Sequence, residues 1–185
     1  VREDTKLVEE ARSAAHLLNM QLDAIVGGGY TRRFHTVNTI QNNSVGHHSF
    51  GVALLCFLLA DGNPSKQLLM AALTHDLGEQ FTGDMPAPAK RAMGIRESFG
   101  IIEEQALSTL GLSFPLDQRD TYILKLADVL DGMMFCTTEL RLGNVGIRAA
   151  YNNFRGYAVS VLNSSDIDRT IFDLVVDTWE SINGR

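Results

Sequence analysis

Cysteine and proline are both scarce, with two Cys and four Pro in 185 residues. Cys56 and Cys136 lie far apart, each inside an apolar run. That excludes a disulfide framework and a thiolate metal site, and leaves two buried thiols in a reducing compartment. Nowhere do 18 apolar residues run uninterrupted, and the opening VREDTKLVEE is charged with no apolar stretch after it. Neither a membrane span nor a signal peptide is expected, and the expected location is the cytoplasm. Basic residues are outnumbered, 16 Lys and Arg against 22 Asp and Glu, for a net charge of −6. An acidic chain of this kind is not a general nucleic-acid binder, so any phosphate chemistry has to come from a local basic pocket. Alternating strands flanked by hairpin turns are missing too, as are repeats and low-complexity tracts. What remains is a globular composition, 45% hydrophobic and 21% charged, long enough to bury roughly 70% of its unfolded surface.

The periodicity is helical. Leu7, Ala11, Ala14, Leu18, Leu22 and Ile25 recur at steps of three and four, and Gly27-Gly28-Gly29 reads as the stop of that helix. These glycines lack the G-K-[ST] ending of a P-loop. Residues 30–44 read as an ordered loop, and the nearly saturated apolar run over 45–60 as a buried helix. Asp61-Gly62-Asn63 closes it, with Asn63 a cap and Pro64 in the first turn of a third helix. That helix is expected to reach about residue 77, delivering Thr74-His75-Asp76 at its end. Gly78, Gly83, Pro86 and Pro88 then predict an irregular segment. Further helices are expected over about 97–110, 119–142, 147–162 and 167–182. The expected fold is all-α, a single domain over 1–185.

Four residues are costly for their surroundings: His48 and His75, each near an end of an apolar helix, Asp76 beside His75, and Asp128 within ILKLADVL. A carboxylate in such a stripe must be paired, hydrogen-bonded or metal-bound. Imidazole and carboxylate together suit Zn, Mn, Fe, Co or Ni. The structural alternatives are a capped core histidine, a helix-end His75-Asp76 pair and a solvated i,i+3 pair between Lys125 and Asp128. Glu79 follows His75 by four residues, so a continuing helix would put its carboxylate on the same face, where a base acting on a metal-bound water belongs. Arg32, Arg33, Lys90 and Lys125 flank this set, either as surface cations or as phosphate ligands.

Four strings tie these residues together. VGHHSFGVA (45–53), THDLGE (74–79), TGDMPAPAK (82–90) and KLADVLD (125–131) resemble, in order, the signature segments of the HD-domain phosphohydrolases. They are most similar to the small branch holding the 5′-deoxynucleotidases and the compact phage triphosphohydrolases acting on dATP. The resemblance implies an HD-domain helical bundle around a divalent metal, Zn, Mn, Co or Fe, with Mg as a candidate second ion. It implies His48, His75, Asp76 and Asp128 as metal ligands, and Glu79 and Asp84 as the catalytic carboxylates that orient or deprotonate the attacking water. It also implies Arg33, Lys90 and Lys125 as cations on phosphate oxygens, and Phe34 and Pro88 as further substrate contacts. Phe34 stands where relatives often carry Trp beside the sugar and base. His47 stands where the commoner string is E-H-S, and reads as a supporting or surface residue.

Two reactions fit this resemblance. Three cations suit a polyphosphate tail, which favours attack at the α-phosphorus of a deoxynucleoside triphosphate with release of triphosphate. The alternative is a 5′-deoxynucleotidase releasing inorganic phosphate from a monophosphate, and behind both stands a non-catalytic nucleotide-binding module. The partner is a small deoxynucleotide, not nucleic acid or membrane. The last helix carries Ile167, Ile171, Leu174, Val175, Thr178 and Trp179 on one stripe, which together with the resemblance predicts a homo-oligomer.

Overall fold

The computed structural model describes residues 2–183. They fold into helices α1 (Arg2–Tyr30), α2 (Val45–Leu59), α3 (Lys66–Thr74), α4 (Glu79–Thr82), α5 (Ala87–Ala92), α6 (Arg96–Thr109), α7 (Gln118–Arg141), α8 (Arg148–Asn163) and α9 (Arg169–Asn183), with a 3-10 turn at Val145–Ile147. No strand forms among the described residues, and the single bridge, Arg32 to Ser44, pinches the ends of the 31–44 loop together. The all-α expectation holds.

Helix α7 is the axis of the bundle, with α2, α3, α8 and α9 packed around it. Its Ile123, Leu126, Ala127 and Leu130 are fully buried against Val52 and Cys56 of α2 and Leu68 and Ala72 of α3. Side-chain caps start the helices that matter here. Ser44 accepts from the His47 N–H, Ser65 from the Leu68 N–H and Asp117 from the Asp120 N–H, each contribution being about 1 kcal/mol. Ser65, not Asn63, is therefore the cap of α3, and Pro64 lies outside the helix. Its ring needs no N–H there, and Ser65 has the hydroxyl that the first turn requires.

Three expectations change in ways that bear on the site. The triple glycine does not end α1, which runs through it to Tyr30. A Cβ on Gly28 would stand 2.7 Å from Leu77, and one on Gly46 would stand 3.0 Å from the Gly29 carbonyl oxygen. Bare backbone at these points lets α1 touch both α2 and the turn after α3. Helix α3 stops at Thr74 rather than near residue 77, and residues 75–78 form turns before α4 opens at Glu79. Within the segment expected to be irregular, two short helices form, α4 and the start of α5.

The two faces expected to be special exchange roles. Of the α9 stripe, Ile167, Ile171 and Val175 pack on the core, joined there by Phe172 and Val176 from beside it, while Leu174 and Thr178 are exposed. Helix α2, expected to be buried, leaves Phe50, Leu54 and Phe57 exposed, and α1 does the same with Leu18, Leu22, Ile25 and Val26.

Candidate metal centre

Four segments converge at the first turn of α2. His48 follows the Ser44 cap and is fully buried. His75 and Asp76 arrive where α3 gives way to turns, Asp128 comes from mid-α7, and Arg33 from the 31–44 loop. Among the described residues, His48, His75 and Asp76 offer ligand atoms that all lie within 4.8 Å of one another, the spacing of a metal-binding group. Asp128 Oδ1 lies 3.1 Å from His48 Nε2. The i,i+3 pair with Lys125 does not form: Lys125 is exposed and lies over the Tyr122 ring, while Asp128 turns towards His48 and Arg33.

Both imidazoles present Nε2 to the centre. His75 Nδ1 lies 2.9 Å from the Ala72 carbonyl oxygen, which can only accept, so Nδ1 carries the hydrogen. His48 Nδ1 lies 2.6 Å from Asp131 Oδ2. The buried Nε2 atoms face carboxylates without an aligned hydrogen bond, His48 Nε2 lying 3.1 Å from Asp128 and 3.5 Å from Asp76 and His75 Nε2 3.4 Å from Asp76, and Glu79 Oε2 is buried without a hydrogen-bond partner. Orphaned buried polar atoms are costly in a structural cluster. Two converging imidazole nitrogens beside a carboxylate are the donor set that a divalent transition metal takes, so the residues present fit such an ion.

The electrostatics point the same way. Burial and Arg33 press the His48 imidazolium down, but the Asp128 and Asp131 carboxylates outweigh them and raise it to about 9. A field that stabilises a proton also stabilises a metal cation. Burial opposes ionisation of Asp76, yet His75, Arg33 and His48 hold it below the usual carboxylate range. Burial likewise opposes ionisation of Asp128, which His48 and Arg33 keep well below that range. Arg33 is 8% exposed, and its Nη1 bonds Asp76 Oδ2 at 2.6 Å. Desolvation works against its charge, but Asp76, Asp128, Asp84 and Glu79 more than restore it.

Glu79 stands apart from the other carboxylates. It is 6% exposed; burial first, then Asp76 and Asp84, raise its carboxyl to about 9. Asp84 Oδ2 accepts from the Phe34 N–H at 3.2 Å, and Phe34 has φ +56, a left-handed backbone that costs a non-glycine residue about 1 kcal/mol or more. The Phe34 ring lies 4.6 Å from Phe135 and 6.0 Å from Phe154. Gly132 makes room for the latter, since a Cβ there would stand 2.7 Å from the Phe154 ring.

The remaining predicted substrate residues lie at the margin. Lys90 Nζ is held 2.9 Å from Glu103 Oε1 and lies over the Phe99 ring. Pro88 is exposed, and His47 is exposed beside the cap. Asp131, Glu139, Phe135 and Phe154 also shape this region without belonging to the residues expected from the sequence. Asp131 closes the KLADVLD segment three residues from Asp128, and a second carboxylate on one face of an apolar helix is its signal in the sequence. Glu139, fully buried, accepts from the Ile40 N–H at 2.8 Å, the Gln41 N–H at 2.7 Å and Asn144 Nδ2 at 2.7 Å.

Comparison with known proteins bears on this arrangement. Residues 29–168 match the family model described as 5′-deoxynucleotidase YfbR-like. A 5′-deoxynucleotidase of Photobacterium profundum is 29% identical over 161 residues, covering 74% of this chain and 79% of the relative. The 5′-deoxynucleotidase YfbR of Escherichia coli is 26% identical over 161 residues, covering 74% and 77%. Among solved structures, the HD phosphohydrolase DatZ of cyanophage S-2L, bound to dA and one catalytic Zn2+ ion, has a TM-score of 0.71 at 21% identity, covering 87% of this chain and 95% of that one. An HD-domain phosphohydrolase of Listeria innocua gives 0.70 at 19% identity, covering 89% and 90%. The helical bundle is thus an HD-domain fold.

Proposed function

This chain belongs to the YfbR-like 5′-deoxynucleotidase family of HD-domain phosphohydrolases, and on that premise we propose that it hydrolyses 5′-deoxynucleoside monophosphates to the deoxynucleoside and inorganic phosphate. The observation that carries the proposal is the family match, whose span of 29–168 encloses the whole centre from Arg33 to Asp131. The triphosphate reading preferred from the sequence becomes the second choice. It leaned on three cations acting together on a polyphosphate, yet of the three Arg33 alone is seated among the carboxylates of the centre, while Lys90 pairs with Glu103 and Lys125 lies over the Tyr122 ring.

In this reading His48, His75, Asp76 and Asp128 hold a divalent metal, with Zn favoured among Zn, Mn, Co and Fe because the cyanophage neighbour holds one Zn2+ ion. When bound, such an ion polarises a phosphoryl oxygen and acidifies water. Glu79, ionised once a cation offsets the neighbouring carboxylates, would take a proton from the attacking water as the new P–O bond forms and pass it to the departing 5′-oxygen of the deoxynucleoside as the old bond breaks, and Asp84 helps to orient that water. Arg33 and Lys125 face the negative charge of the phosphate, with Lys90 at the rim. Phe34 and Pro88 line the side of the sugar and base, and the bond from its N–H to Asp84 keeps Phe34 in its strained conformation. Neither cysteine serves as a nucleophile, because burial pushes both thiols up to about 12.

The deciding experiment is product analysis with dAMP and with dATP under Mn2+ or Co2+. Inorganic phosphate from dAMP is the expected result, and intact triphosphate from dATP with no phosphate from dAMP would overturn the proposal. We also propose a homo-oligomer, supported now by the exposed apolar side chains of α1 and α2 rather than by α9. A monomer mass by light scattering at micromolar concentration would refute it.

A further inference from the structure

His48 and His75 present the same nitrogen to the centre but are held in different ways. His75 uses a carbonyl of its own helix, which is free because α3 ends there. His48 is fully buried and depends on α7. Asp128 and Asp131 are three residues apart and so share one face of that helix. They bracket one imidazole ring, Asp128 Oδ1 at 3.1 Å from Nε2 and Asp131 Oδ2 at 2.6 Å from Nδ1.

Gly51 makes that approach possible. It lies three residues after His48 on α2, on the same side of the helix. A Cβ built there would stand 2.1 Å from Asp131 Oδ1. That clash would fall on the tip of one side chain and not on backbone, so a larger residue would displace the carboxylate and leave the helix pair in place.

We infer that Asp131, admitted by Gly51, is a positioning residue of the metal centre, fixing the hydrogen of His48 on Nδ1 and aiming Nε2 at the ion. The inference rests on the reading of the centre as a divalent-metal site. A carboxylate behind a ligating imidazole fixes its tautomer and ring plane and raises its basicity, and losing such a partner weakens metal binding about 10- to 100-fold.

The test uses the full chain and Zn2+ alone, with affinity read by competition against a chromogenic chelator and the Nδ1–H of His48 read by NMR of 15N-labelled histidine. Asp131→Ala should weaken Zn2+ binding about 10- to 100-fold and abolish the Nδ1–H signal. Asp131→Asn keeps an acceptor oxygen and should restore most of both. Gly51→Ala, which leaves Asp131 in the sequence, should reproduce the Asp131→Ala defect. The double variant should be no worse than Asp131→Ala alone, because both changes act through one contact. Zn2+ binding within twofold of wild type in both single variants would overturn the inference, as would additive losses in the double variant. Wild type that takes up no Zn2+ would instead overturn the metal reading, and this inference with it.

Discussion

Helix α7 carries buried carboxylates at two stations, and the two are built to opposite rules. At its middle, Asp128 and Asp131 bracket His48, yet the Nε2 atoms of His48 and His75 meet carboxylates without an aligned hydrogen bond, and one oxygen of Glu79 has no hydrogen-bond partner. At its C-terminal end, Glu139 accepts three hydrogen bonds, from the Ile40 and Gln41 backbone and the Asn144 side chain, which also ties to the Asn38 carbonyl. Both stations are costly to desolvate. The second recovers that cost within the chain, and its product is a fixed 31–44 loop. The first recovers less of it within the chain, and its donor atoms converge on a spacing that could hold a metal ion. Buried charge is common to structure and to function, whereas buried charge with unfilled valences belongs to function.

The comparison breaks most sharply at Asp128. If the middle station is a metal site, Asp128→Ala should lose bound metal and dAMP hydrolysis together, the turnover falling by more than about 10³-fold, since the charge stabilisation supplied by such an ion is several kcal/mol. Metal analysis of the purified variant beside its activity decides the matter, and full occupancy would remove Asp128 from the ligand set. Glu79 sharpens the same contrast with a smaller effect. Glu79→Gln should keep the metal while kcat falls by about 10²- to 10⁴-fold, the range for losing a general acid or base. Near-normal turnover would pass the proton-transfer role to Asp84 or to solvent.

The two stations were not equally legible in the sequence. The middle one announced itself because His48, His75-Asp76 and Asp128 are polar residues in apolar surroundings at spacings that a known motif also uses. What sequence could not supply was the tertiary approach. That Arg33 bonds Asp76, that Gly51 admits Asp131, and that α3 stops short so Glu79 starts a new turn all depend on segments meeting across the bundle. The triple glycine failed as a helix stop for the same reason, because its role is to let Leu77 and α2 come close. Glu139 was invisible because two of its three partners are backbone N–H groups of a loop far away in sequence, and no residue pattern marks a bond to backbone.

The smallest effect tests the C-terminal station through pH. Burial opposes ionisation of Glu139, but its bonds from Asn144, Ile40 and Gln41 outweigh it and lower the carboxyl from 4.5. A folded-state value below the unfolded one means that the unfolded chain binds the proton more readily. The stabilisation is therefore complete above about pH 4.5 and is lost as pH falls through the depressed folded value. Glutamine does not titrate, and its amide would set N–H against N–H at one of the two backbone donors, so Glu139→Gln should cost roughly 1.5–3 kcal/mol at neutral pH. The gap in Tm between wild type and Glu139→Gln should stay constant from pH 7 to about pH 5 and narrow below that. Zn2+ affinity should be unchanged throughout the neutral range, because the proposed metal ligands sit on α2, in the middle of α7 and in the turn after α3, and none lies on the 31–44 loop that Glu139 holds. A gap that persists undiminished to pH 3 would mean that Glu139 is not the ionised clamp described, and a loss of Zn2+ binding would mean that the two stations are coupled through the loop that carries Arg33.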